Sequence, residues 1–265
     1  MSLLSASRAV SRALLAGAAL LLAAPHVAAE TLKLCVEDAD VRPWRTRDGQ
    51  GLNYLLLNRA AKLAGVEFRH ETMTWSRCLV LLKSGGVDGA FAASFKQDRL
   101  EIGAYPGGAT PDEKKRLHMD RYMLVRKRGT PVDWDGRKFL RLEGPVGTQL
   151  GYSINDTLKK MGVATDDGSQ SGEALLKKLR SGRIMAAAML EGEVQSILSG
   201  HNDYASSLEI LPTPLEEKPY FLMLSHARVK KNPQQAQRIW NAIEQVRQSR
   251  DYQRAEKTAL AGAGH

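Results

Sequence analysis

Two stretches of the chain share one pattern, in which a helical segment ends at Ser-Gly and a short apolar strand of small residues follows. When Ser84-Gly85 is aligned with Ser181-Gly182, the first strand ends at Ser94 and the second at Glu191. Open α/β sheets bind ligands at the carboxyl ends of their strands. The repeat therefore predicts two α/β units whose polar strand ends face a common cleft.

The alternation of apolar and polar positions before the first repeat predicts a parallel sheet. Residues 31–36 form an apolar strand, and leucines and alanines recur at helical spacing over 52–63 until Gly65 stops the helix. Val66 and Phe68 then alternate as a second strand. This β-α-β-α-β order is typical of a parallel sheet with helices on its faces.

The later part of the chain predicts two passages between lobes. Residues 122–125 read as a short extended crossing, and residues 210–214 and 219–225 read as a further strand and a return crossing. Asn232-Pro233 then begins a final helix, with Asn as the cap and Pro at the first helical position. We therefore predict a discontinuous first lobe interrupted by a second lobe.

These boundaries divide the chain from residue 30 onward into three parts. The first lobe takes residues 30–123 and 223–260, and the second lobe takes residues 124–222. Residues 261–265 are predicted to be a flexible tail.

The first 29 residues are predicted to be a signal peptide. Arg8 and Arg12 precede an apolar run over 13–24, and the small residues at 27–29 suit cleavage before Glu30. A retained membrane anchor is the alternative, although the run is short for a membrane span. We expect an exported, periplasmic protein.

Charge and composition argue against a nucleic acid as the binding partner. The chain carries a formal net charge of +9, but its basic residues are scattered and are not interleaved with aromatic ones. This pattern indicates a solvated basic surface rather than a nucleic-acid platform. It leaves room for a weak attraction to anionic ligands or to an anionic membrane surface.

Two cysteines, Cys35 and Cys78, remain after the predicted cleavage. An even number in an oxidising compartment favours a disulfide. Cys35 ends the first strand and Cys78 lies in the first turn of a helix, and such positions meet at one rim of an α/β sheet. Two buried free thiols are the alternative.

Residues 94–99, Ser-Phe-Lys-Gln-Asp-Arg, follow a Val-Asp-Gly-Ala strand and resemble the signature of family 3 bacterial solute-binding proteins. The Pro43-Trp44 pair, Trp75 before the second helix and residues 144–151, Gly-Pro-Val-Gly-Thr-Gln-Leu-Gly, add to the resemblance. It covers essentially the whole chain after residue 29.

The resemblance implies a two-lobe α/β periplasmic binding fold of the Venus-flytrap type. Two crossovers join lobes that are built on mainly parallel sheets flanked by helices. It also implies a receptor that captures a small polar, amino-acid-like solute and delivers it to an inner-membrane ABC permease. We expect a monomer that works without a cofactor or a metal and does not bind nucleic acid.

The resemblance also implies roles for individual residues. Arg99 is placed to pair with a ligand carboxylate, Ser94 to assist it, and Gly151-Tyr152-Ser153 to present backbone N–H groups and a hydroxyl. Glu191 is placed to receive a ligand ammonium group, as the internal repeat suggests independently. Glu193 lies close enough in sequence to take that place instead.

Three further residues are candidates for the rim of the cleft. Trp44 and Trp75 either touch the ligand or pack in the core, and Asp38 follows the first strand. Lys96 departs from the family pattern and adds positive charge near the proposed anion site.

Catalytic alternatives have less support from the sequence. Residues 151–155 lack the last glycine of a nucleophile elbow, the histidines lie far apart, and there is no phosphate-binding Gly-Lys-Ser/Thr loop. Some proteins that resemble this family are periplasmic cyclohexadienyl or arogenate-type dehydratases, and Glu191 would then be a general acid. A sensor for a kinase or an accessory subunit of a redox enzyme is also possible.

Overall fold

The computed structural model describes residues 29–262. The predicted signal peptide lies outside the described residues except for residue 29, and so do residues 263–265 of the predicted tail. None of the helices within 29–262 is long and apolar enough to cross a membrane.

The first part of the chain forms the parallel unit that the sequence pattern predicts. Its elements are β1 (Glu30–Glu37), α1 (Leu52–Ala64), β2 (Val66–Met73), α2 (Trp75–Ser84) and β3 (Gly89–Ser94). β1 lies between β2 and β3 and is parallel to both. Gly65 and Gly85 end the two helices in the left-handed conformation, which glycine adopts without steric cost.

The middle of the chain crosses to the second lobe. A 3-10 turn over Gln97–Glu101 leads to β4 (Gly103–Ala104), and a second turn, Glu113–Lys115, precedes β5 (His118–Lys127). β6 (Asp133–Trp134) and β7 (Phe139–Leu140) then form a separate two-stranded ribbon.

The second lobe repeats the strand-helix alternation. Its elements are β8 (Val146–Gln149), α3 (Ile154–Lys160), β9 (Thr165–Ser169), α4 (Gly172–Arg180), β10 (Ala186–Leu190), α5 (Glu191–Gly200) and α6 (Asn202–Ser207). β8 lies between β9 and β10 and is parallel to both.

One long strand returns to the first lobe, and three helices end the described chain. They are β11 (Leu208–Ser225), α7 (His226–Lys231), α8 (Pro233–Gln248) and α9 (Arg250–Gly262). The main sheet has the order β2-β1-β3-β11-β5-β10-β8-β9, with β4 paired to β11.

β5 and β11 are the two crossovers. They pair antiparallel from Lys127 and Leu208 to His118 and Tyr220, so each lobe is built onto the same two-stranded hinge. The two-lobe α/β fold with two crossovers is therefore confirmed. The exact lobe boundaries, 30–123 with 223–260 and 124–222, stay a prediction.

The crossovers are longer than the sequence pattern indicates. β11 is one strand of 18 residues where we predicted two segments separated at prolines. Its pairing shifts between Ile210 and Pro214 and again between Pro214 and Glu216. Because proline has no N–H for the ladder, such bulges let the strand continue past it.

The end of the chain forms two helices where the pattern predicted one. Asn232 accepts a hydrogen bond from the Gln235 backbone N–H at 3.0 Å, which confirms the predicted cap. α8 ends at Gln248, and the Ser249 hydroxyl then accepts the Tyr252 N–H at the start of α9. Residues 261 and 262 of the predicted tail are helical.

Cys35 and Cys78 form the predicted disulfide, with a Cα–Cα distance of 5.6 Å. Both residues are fully buried. The bond joins the end of β1 to the start of α2, and it thereby fixes two elements that also contribute residues to the cleft.

Replacing both cysteines by alanine should lower the free energy of unfolding by about 3 to 4 kcal/mol, because the bond constrains a loop of 43 residues in the unfolded chain. Urea unfolding at neutral pH measures this difference. Wild-type protein that was reduced while denatured should lose a similar amount. Two thiols titrated in unreduced, denatured wild-type protein would contradict the bond.

Candidate functional site

A small cavity lies between the lobes at the carboxyl ends of three strands. Glu37 ends β1, Ser94 ends β3 and Leu190 ends β10. The cavity volume is about 20 Å³, which is room for about one water molecule. The wall is completed by Arg45, Trp75, Phe91, Ala92, Arg99, Tyr122, Tyr152 and Tyr220.

Arg99 is the buried cation of this cavity. The 3-10 turn that follows β3 places it there, and the residue is 3% exposed. Its guanidinium donates to the carbonyl oxygens of Ser94 at 2.6 Å and Gly151 at 2.7 Å, and it lies 5.2 Å from the centre of the Trp75 ring. No carboxylate within residues 29–262 lies within 4.0 Å of it. The charge is therefore held by carbonyl dipoles from both lobes.

A chain of hydroxyl groups leads from Arg99 to a second cation. Ser94 Oγ donates to Ser153 Oγ at 2.9 Å, and Lys218 Nζ donates to the same oxygen at 3.3 Å. Lys218 also pairs with Glu216 at 2.6 Å. Burial lowers the pKa of Lys218, although Glu216 opposes that shift.

Glu37 is the carboxylate on the cavity wall, and it is already engaged. Its Oε2 atom accepts hydrogen bonds from Arg45 at 2.7 Å and from the Tyr152 hydroxyl at 2.5 Å. Burial raises the pKa of Glu37, and the Arg45 guanidinium opposes the shift. Because Tyr152 belongs to the second lobe, this cluster also joins the two lobes.

A second buried carboxyl group, Glu193, lies behind Tyr152. Gln149 Nε2 donates to Glu193 Oε1 at 3.1 Å and to the Tyr152 hydroxyl at 3.2 Å. Glu193 Oε2 has no partner within residues 29–262. Burial raises the pKa of Glu193 to about 8, with a smaller contribution from Glu37. At neutral pH this group is therefore mostly protonated.

Solved structures of binding proteins share this architecture. A histidine kinase sensor domain with similarity to periplasmic binding proteins superposes with a TM-score of 0.68 at 15% sequence identity, covering 88% of this chain and 97% of that chain. The arginine-, lysine-, histidine-binding protein ArtJ from Geobacillus stearothermophilus gives 0.67 at 16% identity, covering 88% and 96%. The GluR0 ligand-binding core from Nostoc punctiforme, in complex with L-glutamate, gives 0.63 at 15% identity, covering 86% and 98%.

The chain has the two-lobe fold of periplasmic binding proteins. Identities this low establish the fold and leave the ligand open. No protein family profile matches the chain, and no curated protein matches it.

Four of the predicted site residues line the cavity of this binding fold: Trp75, Ser94, Arg99 and Tyr152. Two more lie directly behind the wall, since Gly151 supplies a carbonyl to Arg99 and Ser153 bonds to Ser94. Their roles toward a ligand stay predictions.

Three predicted residues do not reach the cavity wall. Glu191 is the first residue of α5 and pairs with Arg121 at 2.9 Å on the other side of the strand end. Leu190, one residue earlier, faces the cavity instead. Glu193 does not reach the wall either, so neither glutamate predicted to receive a ligand ammonium group lies at the cavity.

Trp44 and Asp38 are the other two predicted residues that do not reach the cavity wall.

 Trp44 is buried and stacks on the His118 ring at 4.3 Å between centroids, so it packs behind the wall. Asp38 is exposed, with an oxygen 3.4 Å from Arg47 Nε. Lys96, the departure from the family pattern, pairs with Asp156 across the cleft at 3.0 Å. Its charge is therefore balanced by a carboxylate of the second lobe.

Sequence reasoning missed seven residues of the wall: Glu37, Arg45, Phe91, Ala92, Tyr122, Leu190 and Tyr220. Glu37 could have been predicted from the sequence, because it is a polar residue at the end of an apolar strand, as Ser94 is. Tyr122 and Tyr220 come from the two crossovers, and their meeting depends on the pairing of β5 with β11.

Replacing Glu193 by Gln should flatten the dependence of stability on pH. A carboxyl group whose pKa is raised from 4.5 to about 8 by folding stabilises the protein below pH 4.5 and loses that contribution as the pH rises toward 8. Between pH 5 and 8 the free energy of unfolding should fall by about 1 to 3 kcal/mol more in the wild type than in Glu193→Gln.

Urea unfolding at several pH values measures this slope. Glu191→Gln is the matched control for the chemical change, since Glu191 lies two residues away in the same helix and pairs with Arg121 outside the cavity. Equal slopes for Glu193→Gln and the wild type would contradict a protonated Glu193.

Proposed function

We propose that this protein is a periplasmic binding protein that captures a small carboxylate-bearing solute for an ABC importer. The observation that carries the proposal is the Arg99 guanidinium, buried at the cavity without a carboxylate partner within the described residues. A planar carboxylate can accept two parallel charge-assisted bonds from such a group.

The position of Arg99 couples binding to closure of the lobes. One side of its guanidinium bonds to Ser94 of the first lobe, and the other bonds to Gly151 of the second. A ligand carboxylate that takes the place of these carbonyls would balance the buried charge while both lobes close on it. Hinge closure about β5 and β11 is the motion that this fold offers.

The size of the cavity indicates that the lobes must part to admit a solute. A cavity volume of about 20 Å³ is too small for an amino acid, and the walls are joined by the hydrogen bond from Tyr152 to Glu37. We propose that this arrangement is a closed form and that a bound solute separates the two walls slightly.

The ligands of similar structures support a small ligand with a carboxylate. ArtJ is an arginine-, lysine-, histidine-binding protein, and the GluR0 core is in complex with L-glutamate. Delivery to a membrane permease, periplasmic location after removal of residues 1–29, and a monomeric state belong to the same proposal.

A sensor role is the second candidate, because a histidine kinase sensor domain shares the fold over 88% of this chain. Loss of solute uptake on deletion of the gene favours transport, and loss of a transcriptional response with normal uptake favours sensing. The dehydratase alternative assigned its proton to Glu191. That side chain lies in its ion pair with Arg121, so we propose no catalytic step.

Replacing Arg99 by Met should weaken binding of the best carboxylate by about 100-fold, because a buried carboxylate would lose its charged partner. A thermal-shift screen of ligand-stripped protein against carboxylates and amino acids finds that ligand. Isothermal titration calorimetry then measures the dissociation constants, and circular dichroism confirms that the variant is folded.

Glu191→Gln is the matched control for Arg99→Met. Because Glu191 lies outside the cavity, this variant should bind within about twofold of the wild type. Unchanged affinity in folded Arg99→Met protein would refute the assignment of Arg99.

A further inference from the structure

We infer that the solute bound in this cleft carries a carboxylate and no ammonium group, so that it is a monocarboxylic acid with an uncharged, apolar body. The inference rests on the proposed function and narrows its ligand class. It departs from the amino-acid-like ligand that the sequence pattern predicted.

The cations at the cavity favour an acid. Arg99 has no carboxylate partner in the described chain, and Lys218 reaches the hydroxyl chain of Ser94 and Ser153 from the other side. Lys218 is balanced by Glu216, so the unbalanced charge is that of Arg99, and a ligand ammonium group beside its guanidinium would meet repulsion in a site with little water.

The charge of the carboxylate on the wall is already balanced by Arg45, so an ammonium group at the other carboxylate oxygen, Glu37 Oε1, would still meet the nearby Arg45 guanidinium. Glu37 Oε2 already accepts from Arg45 and Tyr152, and Arg45 is itself only 4% exposed. An ammonium group that displaced Arg45 would leave a buried guanidinium unpaired. Removing one partner of a buried ion pair is strongly unfavourable, so Glu37 and Arg45 remain together.

The two acids predicted to receive an ammonium group are turned away from the cavity. Glu191 is held by Arg121, and Glu193 faces a separate pocket whose lining includes Asp40 and Glu173. Where a charged acceptor was predicted at the end of β10, the wall has the side chain of Leu190. The strand end therefore offers an apolar contact.

The remaining wall suits an apolar body. Ala92 and Leu190 are aliphatic, and five wall residues are aromatic: Trp75, Phe91, Tyr122, Tyr152 and Tyr220. Aromatic faces contact flat or aliphatic groups over a large area and do not require a charge on the ligand. One charged anchor with an aromatic wall is the arrangement expected for an uncharged body with a single carboxylate.

Matched pairs of acid and amino acid test the inference on the wild-type protein. The pairs are propionate with L-alanine, 4-methylpentanoate with L-leucine, and 3-phenylpropionate with L-phenylalanine, which differ only in the α-ammonium group. Titration calorimetry at neutral pH should show that the acid of the best-binding pair binds at least about 30-fold more tightly, because a buried, unpaired ammonium is costly.

The outcomes separate the inference from the proposed function. An amino acid that binds as tightly as its matched acid, or more tightly, overturns the inference while the proposed function stands. No binding of any acid or amino acid of this panel overturns the inference, and the proposed function falls with it only if the thermal-shift screen of carboxylates and amino acids also finds no ligand. Acid binding that survives in folded Arg99→Met protein shows a different site and also overturns the inference.

Discussion

The buried positive charge of Arg99, between the two lobes, determines which ligands and which neighbouring side chains the site can accommodate. Arg99 is only 3% exposed. Within the described residues its guanidinium donates to carbonyl oxygens and a hydroxyl group, and not to a carboxylate. Desolvating a guanidinium costs several kcal/mol unless an anion or good hydrogen bonds compensate. The Arg99 guanidinium therefore has hydrogen-bond acceptors but no anion that balances its charge, which is the condition that a carboxylate ligand would satisfy.

The surrounding fold holds this charge in place through elements of both lobes. β3 ends at Ser94 and turns directly into the helical turn of Arg99, while α2 brings Trp75 beneath the guanidinium. The disulfide ties α2 to β1 close to Glu37, so the aromatic and acidic walls are fixed to one another. Ion pairs across the cleft, such as Lys96 with Asp156, are partly exposed and add little to closure.

Local sequence patterns predicted the helix boundaries and the motif residues that depend mainly on their neighbours in the chain. Helix α1 with its Gly65 stop and the Asn232 cap rest on short-range signals, and the motif that ends at Arg99 pointed to the buried cation. The disulfide was predicted from the even number of cysteines and from their places on a strand and a helix. Glu191 shows where that reasoning ends. A shift of one residue at a strand end turns a side chain to the opposite face, and the repeat could not show that Leu190 faces the cavity.

The wall residues that were missed depend on distant parts of the chain. The Glu37–Arg45 pair forms because the loop after β1 folds back onto the strand end. Tyr122 and Tyr220 lie close together because the two crossovers, β5 and β11, pair with each other. The prolines in β11 led us to predict two short segments in place of this one long strand. Such contacts follow from tertiary packing between distant segments, which local patterns of apolar and polar residues do not predict.

A crystal structure of the protein with its tightest-binding carboxylate tests most directly whether Arg99 holds the ligand. We expect both ligand oxygens at about 2.7 to 2.9 Å from guanidinium nitrogens of Arg99, with the body of the ligand against Trp75 and Leu190. A carboxylate bound at another place, or an Arg99 that keeps its bonds to Ser94 and Gly151 with the ligand present, would show that Arg99 is not the anchor of the ligand.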